Sequence, residues 1–468
     1  MIDRQGNSYM RIHHVRPRFK SNVENVLIYV ASLVAQHGCK TRAQFREMMR
    51  KKLREFPGNA NKTDKTLDNW RTEISALFGL YYEKDDQVVS SMIAKDLYES
   101  QDLTKFFRYF LYNFQYPGGH IKPHENEILI REKVLFNPAR YFLRVIKALH
   151  EKKSGAGYLT KGEACHLIFN NKEATTDPRF LNVTKIASQI LANRTALFNY
   201  DLTGDVIRYA GDILDYMVLA NLLKDFAGKF YLNRSEQRAI DRFLVEDKYF
   251  KMTLNDLDDH AELEERWIKF CYADVGSRAL DSNVLAFIGV NESEFKELEK
   301  RTQYIQEATT PEKGTRTKDI GDYGEHVVFG HECQYLRSNS REDLLRWVKC
   351  IPNHFAVGYD IQSVDLKEVK KYIEVKSTIS SKRLTVNKFH LTKNELSSAS
   401  TLKENYFIYR LQIIKGDKGE EDTILKLWIL RDPIRLYKED KIEIDLATGD
   451  VSLSRYFGEE VAVLRWGA

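Results

Sequence analysis

The 468-residue sequence predicts a multidomain chain. Its N-terminal half is expected to be mainly α, built from winged helix-turn-helix-like modules, and its C-terminal part α/β with a central mixed sheet. Three observations carry this expectation. Apolar residues recur at helical spacing through the first two thirds of the chain. The segment TTPEKGTRTKD (309–319) then interrupts the pattern with Pro, Gly and alternating charge, as a linker does. Beyond it the chain alternates short strand-like runs with helical ones. At roughly 150 residues per domain the length allows about three domains. The boundaries fall at 1–116, 117–240, a helical connector at 241–310, and 311–468.

Composition narrows the class. Hydrophobic residues make up 43% and charged residues 30%, which is enough apolar surface to build cores and excludes a mainly disordered chain. The net charge of +5 is too small for a uniform positive field, so any basic surface is local. Five cysteines without C-x-x-C spacing fit reduced thiols better than disulfides or a zinc site. No run approaches the ~18 apolar residues of a membrane span, and the opening MIDRQGNSYMRIHHVRPRFK lacks the apolar core of a signal peptide, so a soluble cytoplasmic protein is expected. The adjacent His13 and His14 have no third ligand nearby and are expected in a loop or a solvated position. No G-x-x-x-x-G-K-[ST] sequence occurs, so no nucleotide cofactor is expected.

In the first segment, ENVLIYVASLVAQHG reads as a helix ending at Gly38. TRAQFREMMRKKLREF follows as an amphipathic helix capped by Thr41, with a basic face. After a Pro-Gly-Asn break, a helix from about Lys65 to Phe78 leads through Gly79 into an extended segment. Helix, helix and small β-element is the order of a winged helix-turn-helix. The second of these helices offers Lys65, Thr66, Asn69 and Arg71 to a DNA groove. An ordinary bundle with polar outer residues fits the segment equally well.

The second segment repeats the theme. NPARYFLRVIKALHE is amphipathic, and Thr160 lies three residues before Glu163 in the spacing of a capping box. The helix in NVTKIASQILANRTALFNY presents Lys185, Gln189 and Arg194 as candidate contacts. From 234 to 310, mixed charge at helical period, as in SEQRAIDRFLVEDKY, suggests an exposed connecting helix.

The chemistry lies beyond the linker, where the order is helix, strand, strand, helix, strand, strand: GDYGEHVVFGHECQYLR opening at Gly324, then HFAVGYDIQSVD, KKYIEVKST, NKFHLTKNEL, NYFIYRLQII and ILKLWILRDP. In KKYIEVKST the side chains alternate, so Tyr372, Glu374 and Lys376 share one face, about 6.6 Å between neighbours, while Ile373 and Val375 share the other. A surface ion pair is the ordinary explanation of such a Glu-x-Lys. Fourteen residues upstream, however, stands Asp360, and a hairpin would bring it beside Glu374. Two carboxylates that close repel unless one is protonated or a cation lies between them. Asp360, Glu374 and the Val375 carbonyl form an oxygen donor set suited to Mg²⁺, with Mn²⁺ a possible substitute. Lys376 would orient or help deprotonate a water and offset charge on a phosphorane-like transition state.

Asp360 followed by Glu374-Val375-Lys376 resembles the PD-(D/E)XK nuclease superfamily, with Tyr359 where that pattern usually has Pro. The longer run GDYGE…GYDIQS…KYIEVKST…FHLTKNEL…YFIYRL is similar to the C-terminal domain of NO VEIN proteins, found in restriction and defence proteins. This resemblance implies a restriction-endonuclease-like fold with catalytic residues Asp360, Glu374, Lys376 and a helical Glu325. FFRYFLYNFQYP (106–117) resembles the recognition regions of type IIS restriction endonucleases. Thr392 and Glu395 are read mainly as a capping box, with Lys393 as a candidate phosphate contact. Lys382, Arg383 and Lys388 in the preceding loop are further candidates.

The expected function is a Mg²⁺-dependent restriction-type endonuclease of duplex DNA, sequence-specific or modification-guided, acting as a homodimer on DNA or through two binding events. Two other readings stay open: a DNA-binding regulator with an inactive nuclease fold, and a nuclease for RNA or branched DNA.

Overall fold

Apolar residues at helical spacing form α1 (Val23–His37), α2 (Arg42–Glu55) and α3 (Asp64–Ala76). Thr41 and Thr63 open the last two by accepting the amides of Gln44 and Thr66, which satisfies N–H groups that a helix start leaves free. In this computed structural model the three helices lead into an antiparallel hairpin of β1 (Tyr81–Lys84) and β2 (Gln87–Ser90). The structure describes residues 10–14, 19, 23–37, 40–56, 59–100, 102–153, 155–246, 248–275, 280, 319–351, 358–380, 387–415, 423–445, 449–453 and 459–466. They fall into two compact units. One comprises residues of Met1–Tyr98 and Leu103–Ser282, the other residues of Glu99–Asp102 and Asn283–Ala468.

The first unit continues with α4 (Met92–Ser100), α5 (Leu103–Asn113), α6 (Pro123–Arg131) and α7 (Pro138–Lys152). Next come β3 (Tyr158–Thr160), α8 (Lys161–Glu163), α9 (Lys172–Thr175), α10 (Val183–Thr195) and α11 (Gly204–Leu219). A second hairpin, β4 (Leu223–Phe226) and β5 (Lys229–Leu232), joins β3 in a three-stranded antiparallel sheet. Twice, therefore, two helices are followed by a small β-element. The aromatic run noted at 106–117 is α5 and its exit, buried on all sides, with the fully buried Arg108 paired to Glu236 at 2.9 Å. A helix buried on every face, with its inner cation paired, is a core element.

Two expectations are corrected here. The charged sequence after 234 is no exposed bridge in its described part. Its helices α12 (Gln237–Val245) and α13 (His260–Cys271) bury Phe243, Leu263, Trp267 and Cys271 in the first unit, because each keeps an apolar stripe beneath its charged face. Most of 276–318, including the linker, lies outside the described residues. His13 and His14 do lie in irregular chain, but His14 is buried and not solvated, 2.6 Å from the Tyr116 hydroxyl and edge-on to Phe114 and Tyr209.

The second unit opens on α14 (Asp319–Ser338) and holds a six-stranded mixed sheet. Its strands in chain order are β6 (Lys349–Cys350), β7 (Ile361–Val364), β8 (Lys370–Ser380), β10 (Tyr406–Lys415), β11 (Thr423–Arg431) and β14 (Glu459–Trp466). Their order across the sheet is β14-β11-β10-β8-β7-β6. Only β8 and β10 run parallel. A parallel pair needs a crossover. Here that crossover carries β9 (Asn387–His390) and α15 (Lys393–Leu402). Strand β9 joins β12 (Ile442–Asp445) and β13 (Asp450–Leu453), which follow α16 (Pro433–Lys438), in a small separate sheet.

Alternation along β8 separates two cores. Ile373 and Val375 pack with Tyr323, Val328 and Phe329 of α14. Tyr372 turns to the other face, with Ala399, Tyr406 and Ile408. The α14 face is pinned by the buried Glu332, which accepts hydrogen bonds from Lys371, Ser363 and Tyr409 at 2.6–2.8 Å. A buried carboxylate satisfied this fully fixes the helix against three strands. Gly324 lies in the second turn of α14 and not at its opening: a Cβ there would collide with the Ser377 Oγ, so the glycine serves close packing. Among the described residues, no helix is long and apolar enough to cross a membrane.

Candidate active site

The β7–β8 turn sets the register of the site. The Asp365 carboxylate accepts the amides of Lys367 and Val369 at 2.8 and 2.9 Å and so closes a tight loop. Ile361 then pairs with Ile373, and the Asp360 amide donates to the Ile373 carbonyl at 2.9 Å. Asp360 therefore comes opposite Glu374, as the spacing anticipates. Its Oδ2 accepts the Val375 N–H at 2.8 Å.

Lys376 stands on the same face as Glu374, and its Nζ lies 2.7 Å from Glu374 Oε1 and 2.9 Å from Glu395 Oε2. Glu395 is a site residue that sequence reasoning assigned to structure. The capping box is present, with the Thr392 hydroxyl accepting the Glu395 amide and Glu395 Oε2 accepting the Thr392 amide at 3.0 Å. The same oxygen also binds the lysine.

Burial pushes the Glu374 carboxyl well up, and the Asp360 charge adds to this against the pull of Lys376. Asp360 is likewise raised, by burial first, although the Val375 amide and Lys376 draw it down. Glu395 goes the other way: burial works to raise it, but Lys376 and the Thr392 amide hold it below the ordinary range. Burial favours a neutral Lys376, yet Glu374 and Glu395 overcome it and keep the ammonium charged. Three acids thus stand around the Lys376 ammonium, two of them in direct contact with it.

Three supports hold this arrangement. Strand β10 places Ile408 beside Glu374 and the buried Arg410 beside Lys376, whose carbonyl accepts an Arg410 N–H at 2.9 Å. The Tyr406 hydroxyl donates to the Gly358 carbonyl at 2.9 Å. Gly358 has φ +77°, and a Cβ there would lie 2.8 Å from the Asn394 carbonyl oxygen in the first turn of α15. Gly358→Ala is therefore expected to displace α15, to destabilise the second unit by about 2 kcal/mol and to lower any cleavage. Urea unfolding of the variant beside the wild type measures this.

Glu325 follows Gly324 on α14, the helix that packs against the Ile373, Val375 and Ser377 face of β8, whereas Glu374 and Lys376 stand on the opposite face of the strand, so the structure does not group it with them. It is in the second turn of its helix, so the helix dipole does not account for it. Among the described residues no group of three or more His, Cys, Asp and Glu stands arranged to hold a metal ion. The donors available to one are the Asp360 and Glu374 carboxylates and the Val375 carbonyl. Their chemistry fits a hard divalent ion: oxygen ligands, and acids whose proximity and burial disfavour the charged state until a cation arrives.

The proposed DNA contacts fare unequally. Lys382 and Arg383 lie outside the described residues. Lys388 is buried and paired to Asp450 at 2.9 Å, because residues 387–390 form a strand rather than a loop. Lys393 is exposed on the first turn of α15. Lys65 is exposed, Thr66 is half-buried against the Thr63 hydroxyl, and Asn69 and Arg71 are half-buried, the latter 4.0 Å from Asp68. Lys185 is exposed and paired to Glu173 at 2.7 Å, and Gln189 is half-buried.

Arg194 is a brace. Its guanidinium binds Glu163 at 2.6 and 2.9 Å and the carbonyls of Ala156 and Tyr158, and stacks 3.8 Å from the Tyr158 ring centre. Four of its five N–H donors are thereby engaged within the fold. Arg194→Ala is expected to destabilise the first unit by roughly 3 kcal/mol, since the buried Glu163 loses its partner. A variant with unchanged unfolding and weakened DNA binding would contradict this role.

Comparison with known proteins adds the lineage. Residues 4–269, more than half of the chain, match the family described as "Restriction endonuclease BpuJI - N terminal". The chain belongs to the BpuJI N-terminal family. Residues 324–424, which include Asp360, Glu374, Lys376 and Glu395, match "Protein NO VEIN, C-terminal". A solved structure entitled "Crystal structure of pyrene- and phenanthrene-modified DNA in complex with the BpuJ1 endonuclease binding domain" shares the fold at a TM-score of 0.52. It is 22% identical and covers 57% of this chain and 98% of its own. No curated protein matches.

Proposed function

We propose that this BpuJI-family chain is a metal-dependent endonuclease of duplex DNA, in which the first unit binds the duplex and the second hydrolyses a phosphodiester. The observation that carries the reading is Asp360 set opposite Glu374, with the Lys376 ammonium on the same face. Family membership and the DNA complex of the similar binding domain support duplex DNA as the substrate. Two helix–helix–hairpin segments in the first unit support winged-helix modules as its means of binding. The site's makeup fits the PD-(D/E)XK arrangement.

Asp360, Glu374 and the Val375 carbonyl would hold Mg²⁺, or Mn²⁺ in its place. Bound there, such an ion supplies Lewis acidity and a lowered pKa for water. The chain's own residues do the rest. The Val375 amide fixes the Asp360 carboxylate. Lys376 orients the attacking water and neutralises charge gathering on the phosphoryl oxygens as a P–O bond forms to the water oxygen and one P–O ester bond breaks, the water giving up a proton and the leaving oxygen taking one from solvent, which leaves a phosphate monoester and a hydroxyl. One such site cuts one strand, so double-strand cutting takes a homodimer on DNA or two binding events.

Sequencing the ends of genomic DNA treated with the protein and Mg²⁺ tests this. Ends at a fixed distance from a shared or modified motif support restriction-type cutting. Ends at random positions remove the sequence-specific part. Cutting confined to RNA or branched DNA would replace the substrate, and no cutting would leave a DNA-binding regulator.

A further inference from the structure

Glu395 has two partners whose requirements are separable. As the third residue of α15 it completes a capping box, a purely structural task that glutamine also performs. As an anion it stands 2.9 Å from the Lys376 Nζ, opposite the 2.7 Å contact with Glu374. Helix α15 is not free to carry it away. Gly358, two residues before Asp360, lies against the Asn394 carbonyl in the same turn, and Leu396 and Ala399 pack into the core of this face. The first turn of α15 is thereby held against both strands of the site.

We propose that Glu395 is a positioning residue for Lys376 in the hydrolytic reaction, a role that rests on the nuclease reading above. Glu374 is claimed twice, by the lysine and as an acid for the divalent ion. When its oxygens turn to the ion, the ammonium loses its nearest partner. Glu395 remains, tied to the Thr392 amide, and keeps the ammonium at the reacting phosphate. The crossover helix thus adds a charged group to the Asp360, Glu374 and Lys376 set of the strands.

The test compares Glu395→Gln, Glu395→Asp and Thr392→Ala in the full chain, by plasmid cleavage, DNA affinity and thermal unfolding. Glu395→Gln keeps the cap and loses the charge. Its kcat is expected to fall by about 100-fold, as misplacement of a reacting group does, with KM for DNA unchanged and a melting temperature lowered only modestly by the lost charge, which Lys376 still shares with Glu374. Glu395→Asp restores part of the rate. Thr392→Ala loses the side-chain cap and keeps the carboxylate, so it melts roughly 2–4 °C lower and loses far less kcat. Wild-type kcat in Glu395→Gln, or a loss of rate that follows melting temperature across the set, overturns this role and leaves the nuclease reading standing. A wild-type chain that cuts nothing overturns both.

Discussion

Asp360→Asn is expected to abolish cleavage, by about 10³-fold or more, while making the metal-free protein more stable by about 1 kcal/mol, or ~2–4 °C in melting temperature. The two effects have one origin. Burial holds the Asp360 carboxyl above its ordinary range, with Glu395 as a further acid at the site. A carboxyl whose folded value is raised binds its proton more tightly in the folded state. Stability is then highest at low pH and declines as pH rises from the unfolded value of about 3.9 through the folded one. Asparagine removes the charge, and its oxygen can still accept the Val375 amide. Melting the two proteins from pH 4 to 8 should show the wild type losing stability faster. Equal slopes would show that the carboxylate is not under strain.

Lys376→Ala should have the largest combined effect. It removes the side-chain cation that contacts Glu374 and Glu395 at 2.7 and 2.9 Å, and leaves those acids beside Asp360. Removing one partner from a buried charge network costs about 3–5 kcal/mol, because the uncompensated charge stays behind. Cleavage is expected to fall by about 10³-fold. Unlike a simple packing defect, the variant should regain stability when Mg²⁺ or Mn²⁺ is added, and more than the wild type does, since the ion now answers acids that the lysine had neutralised. At 100 times its dissociation constant a ligand contributes about 2.7 kcal/mol. A shift on metal addition no larger in the variant than in the wild type would deny that these acids face a common cation.

The strand pair is legible in the sequence because its information is local. Alternation in KKYIEVKST assigns faces, and the short connection from Asp360 leaves a hairpin as the natural path, so Asp360, Glu374 and Lys376 fall together on spacing alone. The same holds for the boxes at Thr160 and Thr392, whose partners lie three residues on. Long-range contacts are not legible. Lys388 looks like a loop cation because its strand pairs with residues 450–453, about sixty positions away. Glu395 looks only like a cap because its second partner lies across the crossover. Arg194 looks free because Glu163 and the Tyr158 carbonyl reach it from another element. Gly324 resembles a helix start because a glycine required for close approach to Ser377 has the same letter as one that ends a turn.

The most direct measurement is cleavage of supercoiled plasmid carrying varied genomic inserts, in Mg²⁺, with Asp360→Asn and a chelator-treated wild type beside it. The account predicts nicked or linear product from the wild type with Mg²⁺ alone, and none from the other two. Equal cutting by Asp360→Asn, or by the wild type without divalent ion, would contradict it.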